Sequence, residues 1–125
     1  GAMFYYTFLI KDRLILMANF TMREEIEEAY SMGEEWVFDP AAIALRLVEV
    51  PKDGVERKFE TFETEMDIVV TIIDSNYQDA SVYGANYVIT LKQGRYKTWV
   101  ITSAKWSIKC QKGKGHSNYS IKSCY

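Results

Sequence analysis

The spacing of apolar residues changes period along this chain, and each period predicts a different element. Residues 4 to 20, FYYTFLIKDRLILMANF, are apolar on all sides of a polar centre. That pattern suits a buried β-hairpin turning at Lys11 to Arg13, with a helix as the alternative. The next stretch, TMREEIEEAYSMGEEWVF, is helical in period: Thr21 and Glu24 have capping-box spacing, and Met22, Ile26, Ala29, Tyr30, Gly33, Trp36 and Val37 fall on one face. The other face is acidic, with Glu24, Glu25, Glu27, Glu28, Glu34 and Glu35. Asp39 and Pro40 are placed to serve as N-cap and first residue of a short second helix. PKDG at 51 to 54 reads as a turn joining two extended segments, LRLVEV and VERKFETF, and from Phe62 onward the alternation is that of strands.

Two turns predict a register for those strands. A two-residue turn at Gln93 and Gly94 sets Tyr96, Thr98, Val100, Thr102 and Ala104 opposite Leu91, Ile89, Tyr87, Ala85 and Tyr83. A second turn at Ser75 and Asn76 sets Met66 and Ile68 opposite Ala85 and Tyr83, with Val70 and Ile72 continuing the same face. Both turns assign the same face to the core, which predicts an antiparallel meander covered on one side by the amphipathic helix. The fold class expected is α+β, with N-terminal helices packed on a curved antiparallel meander of four or more strands.

These registers leave an apolar row on the opposite face: Val69 beside Val82, Val88 beside Trp99, and Ile101 beside Asn86, with Asp67 and Glu65 nearby. A sheet covered on one side is expected to be polar on the other, so the row is a candidate interface, most simply of a homodimer. Residues 4 to 20 folding across this face, or a curled sheet enclosing it as a second core, are the alternatives.

Composition narrows the partners. The 125 residues suffice for one domain, taken as residues 4 to 125. Gly1, Ala2 and Met3 read as a protease-cleavage scar, so a native start upstream, with a signal or anchor removed, is an expectation. A net charge of −2 argues against a grip on phosphate backbones, and no apolar run reaches the roughly 20 residues of a membrane span. The expected partner is therefore a protein, either a second copy or another assembly component.

Candidate chemistry is sparse: no cofactor or metal is expected. His116 stands alone in a Gly-rich tip, GKGHSNY, that reads as a flexible surface turn. Together with two cysteines it falls short of a four-ligand zinc set. QKGKG lacks the spacing of a phosphate-binding loop. Cys110 and Cys124 come opposite each other if the chain turns at His116 to Asn118, at a separation that a disulfide spans; two free thiols are the alternative. A bridge predicts an extracytoplasmic or secreted protein, free thiols a cytoplasmic one. Asn19 and Asn118 head glycosylation triplets, which arise often by chance.

The order of helices followed by a long-stranded meander, with the glycine turn and aromatic strand of LKQGRYKTWVITSAKW, resembles the NTF2-like and cystatin-like α+β rolls over residues 21 to 109. The resemblance implies a curved sheet wrapped on helices, frequently dimeric through the sheet, in scaffold domains of bacterial secretion and conjugation machinery, in small-molecule enzymes and in transport adaptors. The Q-x-V-x-G motif of papain-inhibiting cystatins is absent. The chain also resembles type IV pilin heads in its meander and C-terminal cysteine loop, although Lys11 to Arg13 and Thr21 interrupt any single long helix. The function expected is non-enzymatic binding or assembly, self-associating or docking within a cell-envelope, secretion or conjugation-type assembly. The alternatives are an NTF2-like pocket protein or enzyme, which would need a helix–sheet pocket lined by Tyr30, Trp36, Tyr83, Tyr87 and carboxylates; an acidic inhibitor or immunity-like protein using the Glu-rich helix; and a pilin-like subunit.

Overall fold

The computed structural model describes residues 22–48 and 50–125, so the expectations for residues 4 to 20, the cap at Thr21 and Asn19 lie outside the described residues. Within them the chain is α+β, with two helices packed N-terminally on a four-stranded antiparallel sheet. Residues 22–31 form helix α1, and Met22, Ile26 and Ala29 bury its apolar face. The helix stops earlier than its period predicts. Gly33, at φ +77°, donates to Tyr30 O, and Glu34 N donates to Ala29 O, which satisfies the last carbonyls and turns the chain away. Trp36–Phe38 form a 3-10 turn that buries Val37. Helix α2, Pro40–Leu47, begins as its sequence dictates: Ala41 N donates to Asp39 Oδ1, and Pro40 sits where no N–H is needed. Leu45 to Leu47, expected as extended, complete α2, because Ile43 and Leu47, one helical turn apart, both pack into the core.

The strands are β1 (Glu56–Glu63), β2 (Asp67–Ser75), β3 (Val82–Gln93) and β4 (Trp99–Cys110), in the order β1-β2-β3-β4. A tight turn at Glu65 and Met66 joins β1 to β2, with Thr64 N donating to Asp67 O and Asp67 N to Thr64 Oγ1. The register between β2 and β3 differs from the expected one: Ile68 faces Leu91, Val70 faces Ile89 and Ile72 faces Tyr87. The reason is loop length. Asn76 turns out of β2 at φ 65°, but the chain then runs on to Asp79, whose Oδ1 accepts from the N–H groups of Ser81 and Val82 before β3 starts. The displacement is even, so the same residues face the core.

Between β3 and β4 the displacement is odd, and this changes a face. The connection is longer than Gln93–Gly94: Gly94 N donates to Thr98 O, Thr98 N to Arg95 O, and Tyr96 and Lys97 both take left-handed φ. Leu91 therefore faces Ile101, and Gln93 faces Trp99. Ile101 is buried in the core and Trp99 packs against it, so neither belongs to the outer row. A bulge opposite Thr90 and Leu91 then shifts the alternation, and Ala104, Trp106, Ile108 and Cys110 take the core side. Of the other expected outer pairs, Val69 faces Thr90, Val88 faces Lys105 and Val82 faces Cys110. The far face at Val88 is thus a mixed row with Thr71 and Lys105 rather than an aromatic patch.

Candidate functional site

The core-side row of β2 ends in a charge. Asp74 follows Ile68, Val70 and Ile72 on that face, is 1% exposed, and stands between Arg57 on β1 and Ala85 on β3. A buried carboxylate is costly unless its oxygens are occupied, and here they are. Arg57 Nε donates to Asp74 Oδ1 at 2.6 Å and a terminal guanidinium nitrogen to Oδ2 at 2.7 Å, a bidentate pair. The Tyr77 hydroxyl donates to Oδ2 at 2.9 Å. Gly84 on β3 permits the close approach of strands beside this group, since a Cβ there would run into the Asp74 carbonyl.

This polar group forms one wall of an open cleft of about 840 Å³ between the C-terminal end of α2, the segment 50–55 and the core side of the sheet. Leu47, Val48, Val55, Ile89 and Ala104 supply apolar walls, Tyr87 and Trp106 aromatic ones, and Lys52, Asp53 and Asp79 also line it. The volume falls in the range of small-molecule sites, roughly 300–1,000 Å³.

Several groups at the cleft are displaced from their ordinary values. Arg57 is pushed above its ordinary value by its hydrogen bond to Asp74. Burial is the main cause that raises the phenols of Tyr77 and Tyr87 above the ordinary tyrosine range. Asp79 is lowered, first by the N–H groups of Val82 and Ser81. The raised tyrosines predict alkaline sensitivity. Both stay protonated to higher pH in the fold than in the unfolded chain, so their contribution is complete below about pH 10 and is lost as pH rises through their raised range. Urea midpoints should hold between pH 8 and the ordinary tyrosine value near 10 and fall above it, by at most about tenfold in the folding equilibrium constant per pH unit and tyrosine. Tyr77→Phe should make that fall shallower.

The residues singled out in the sequence are scattered. Of the expected pocket aromatics only Tyr87 lines the cleft; Tyr30 stacks on Tyr96 with ring centroids 4.9 Å apart, and Trp36 lies under Arg46. Glu24, Glu27 and Glu28 are exposed on α1, and Glu25 pairs with Arg46 at 3.6 Å. Glu34 and Glu35 lie past Gly33, off the helix, and Glu34 Oε2 accepts from the Trp36 indole. The acidic face is therefore shorter than expected. Asp67, across from Lys92, and Glu65, in the β1–β2 turn, lie away from Trp99 because Trp99 faces the core.

Cys110 and Cys124 form a disulfide, which is compatible with an oxidising compartment. The expected hairpin around it is absent: one bridge, Ile108 to Ser120, joins the returning chain to β4. His116 is half-buried and fastened, with Nδ1 2.7 Å from Asn118 O and Nε2 2.8 Å from Lys122 O. It lies near both sulfurs, but sulfurs bonded to each other offer no thiolate to a metal. Among the described residues no helix is long and apolar enough to cross a membrane.

Arg57 and Asp74 were not among the candidates drawn from the sequence. Their signal was present, since Asp74 interrupts an otherwise apolar core-side row and a charge in such a row demands a partner. Compared with known proteins, the chain matches no family model, no curated protein and no solved structure.

Proposed function

We propose that this domain is a binding module without catalytic chemistry of its own, and that its ligand site is the helix–sheet cleft. One observation carries the reading: the cleft combines apolar and aromatic walls with a polar group whose charges are already satisfied internally. Arg57 and Asp74 neutralise each other, and the half-buried phenols of Tyr77 and Tyr87, raised by burial, stay protonated near neutral pH. Such a wall offers hydrogen bonds and little net charge. It suits a neutral, planar, amphipathic molecule, with its ring against Tyr87 and Trp106 and its polar end toward Tyr77. The disulfide supports an extracytoplasmic setting for this work.

The test is a titration with neutral aromatic amides and phenols, followed by the Trp106 indole and the Ile89 and Ala104 methyl signals in NMR spectra. Saturable shifts at these groups are expected. Val55→Trp, which adds bulk to an apolar wall of the cleft, should weaken binding at least about tenfold, roughly 1.4 kcal/mol. Shifts confined to other surfaces, or binding indifferent to Val55→Trp, would overturn the proposal.

A further inference from the structure

The two edges of the sheet are treated differently. The outer edge of β4 is closed at its C-terminal end: Ser120 exchanges backbone hydrogen bonds with Ile108, and Cys110 N donates to His116 O. At β1, by contrast, no backbone hydrogen bond outside the strand ladder is made by residues 56–63 among the described residues. Every β1 residue but Arg57 is exposed, and its ladder with β2 is unbroken by a bulge. Phe59 is 50% exposed even though it lies on the core side, so among the described residues this edge is left largely open. A long, regular, open edge carrying exposed aromatics is a template for another strand.

The charges along ERKFETFE identify that strand. We propose that β1 pairs antiparallel with β1 of a second copy of this chain, about a two-fold axis through Phe59. A two-fold axis normal to the sheet sets residues of the same face opposite one another. With Phe59 on the axis, each Lys58 faces Glu60 of the other copy, giving two opposite-charge pairs on the far face while the two Phe59 rings meet on the core side. Moving the axis to Glu60 sets Glu60 against itself. Moving it to Lys58 sets Lys58 against itself and Glu56 against Glu60. Charges on an edge strand ordinarily discourage pairing; here they reject the two adjacent registers, and an axis at Thr61, which they do not reject, pairs only residues 59–63 where the axis at Phe59 pairs residues 56–62. Lys58 and Glu60 make no ion pair within the chain among the described residues, so both are free to serve.

Sedimentation of the full chain across the micromolar range tests this. The wild type should show a reversible monomer–dimer equilibrium. Lys58→Glu and Glu60→Lys each convert two attractive pairs into two repulsive ones and should weaken association at least about tenfold. The double exchange should restore it, and an equimolar mixture of the two single variants should form the heterodimer. Phe59→Glu, which puts like charges on the axis, gives a second route to the monomer, and circular dichroism checks that each variant folds. A wild type that stays monomeric, or a dimer unmoved by the single exchanges, would overturn the proposal. Neither Lys58 nor Glu60 lines the cleft, so the outcome is independent of ligand binding there.

Discussion

Replacing Asp74 with alanine is expected to lower the free energy of unfolding by about 3–5 kcal/mol, the cost of breaking one side of a buried ion pair. The Arg57 side chain is 14% exposed and the Asp74 side chain 2% exposed, so each recovers little hydration when its partner is removed. The truncation leaves a guanidinium and the Tyr77 hydroxyl facing an uncharged void. Replacing both ends is expected to cost less: Arg57→Leu with Asp74→Leu removes the stranded charge together with its counter-charge, and such exchanges are often neutral or stabilising. The pair thus adds little net stability. Its effect is positional, fixing β1 against β2 and keeping the polar wall of the cleft in one arrangement. Urea denaturation of the single and double variants measures the difference. A loss below about 1 kcal/mol for Asp74→Ala would place this carboxylate among solvent-screened surface pairs.

Loss of the disulfide is the second large effect. Cys110 and Cys124 are 14 residues apart, and closing a loop of about that length is worth about 3 kcal/mol through the entropy it removes from the unfolded chain. The folded loop is built around the bridge. Gly115, at φ +140°, brings its backbone so close that a Cβ would lie 2.9 Å from Cys110 Sγ. Tyr125 N donates to Lys114 O, and the His116 ring fastens the carbonyls of Asn118 and Lys122. The variant carrying Cys110→Ser and Cys124→Ser should lose about 3 kcal/mol of stability. Hydrogen exchange should locate the damage: the amides of Ile108 and Ser120 lose protection first, while those pairing β2 with β3 follow the global loss. If the Ile108 and Ser120 amides kept their protection, the bridge would be incidental to closure of this edge.

Local chemistry was legible in the sequence wherever neighbouring residues settle the conformation. Asp39 and Pro40 start α2 because a side-chain acceptor and a missing N–H suffice there. For the cysteines the spacing leaves a bridge and two free thiols both open; the fold forms the bridge, and the chain between them is a stapled loop instead of a hairpin. Gly33 falls on the apolar face of one long helix by period, but its freedom at positive φ ends that helix. In β4 the apolar positions run Trp99, Ile101 and then Ala104, Trp106, Ile108, a change of phase that marks the bulge. The cleft was less visible, since its walls come from α2, the segment 50–55, all four strands and the β2–β3 connection, and no short stretch contains two of its polar partners in contact except Asp74 and Tyr77.

Residues close in sequence suffice for the class of fold, the order of helices before sheet, the core face of β2 and β3, and the presence of an acidic helix. These follow from periodicity and capping, which act between residues a few positions apart. The tertiary structure alone decided which way Trp99 and Ile101 face, how Arg57 meets Asp74, and where a cleft opens. A single residue gained in a loop or bulge reverses a strand's faces. Whether such a residue is accommodated depends on distant packing, as when Tyr96 holds a left-handed backbone at the tip of the β3–β4 connection while its ring stacks on Tyr30.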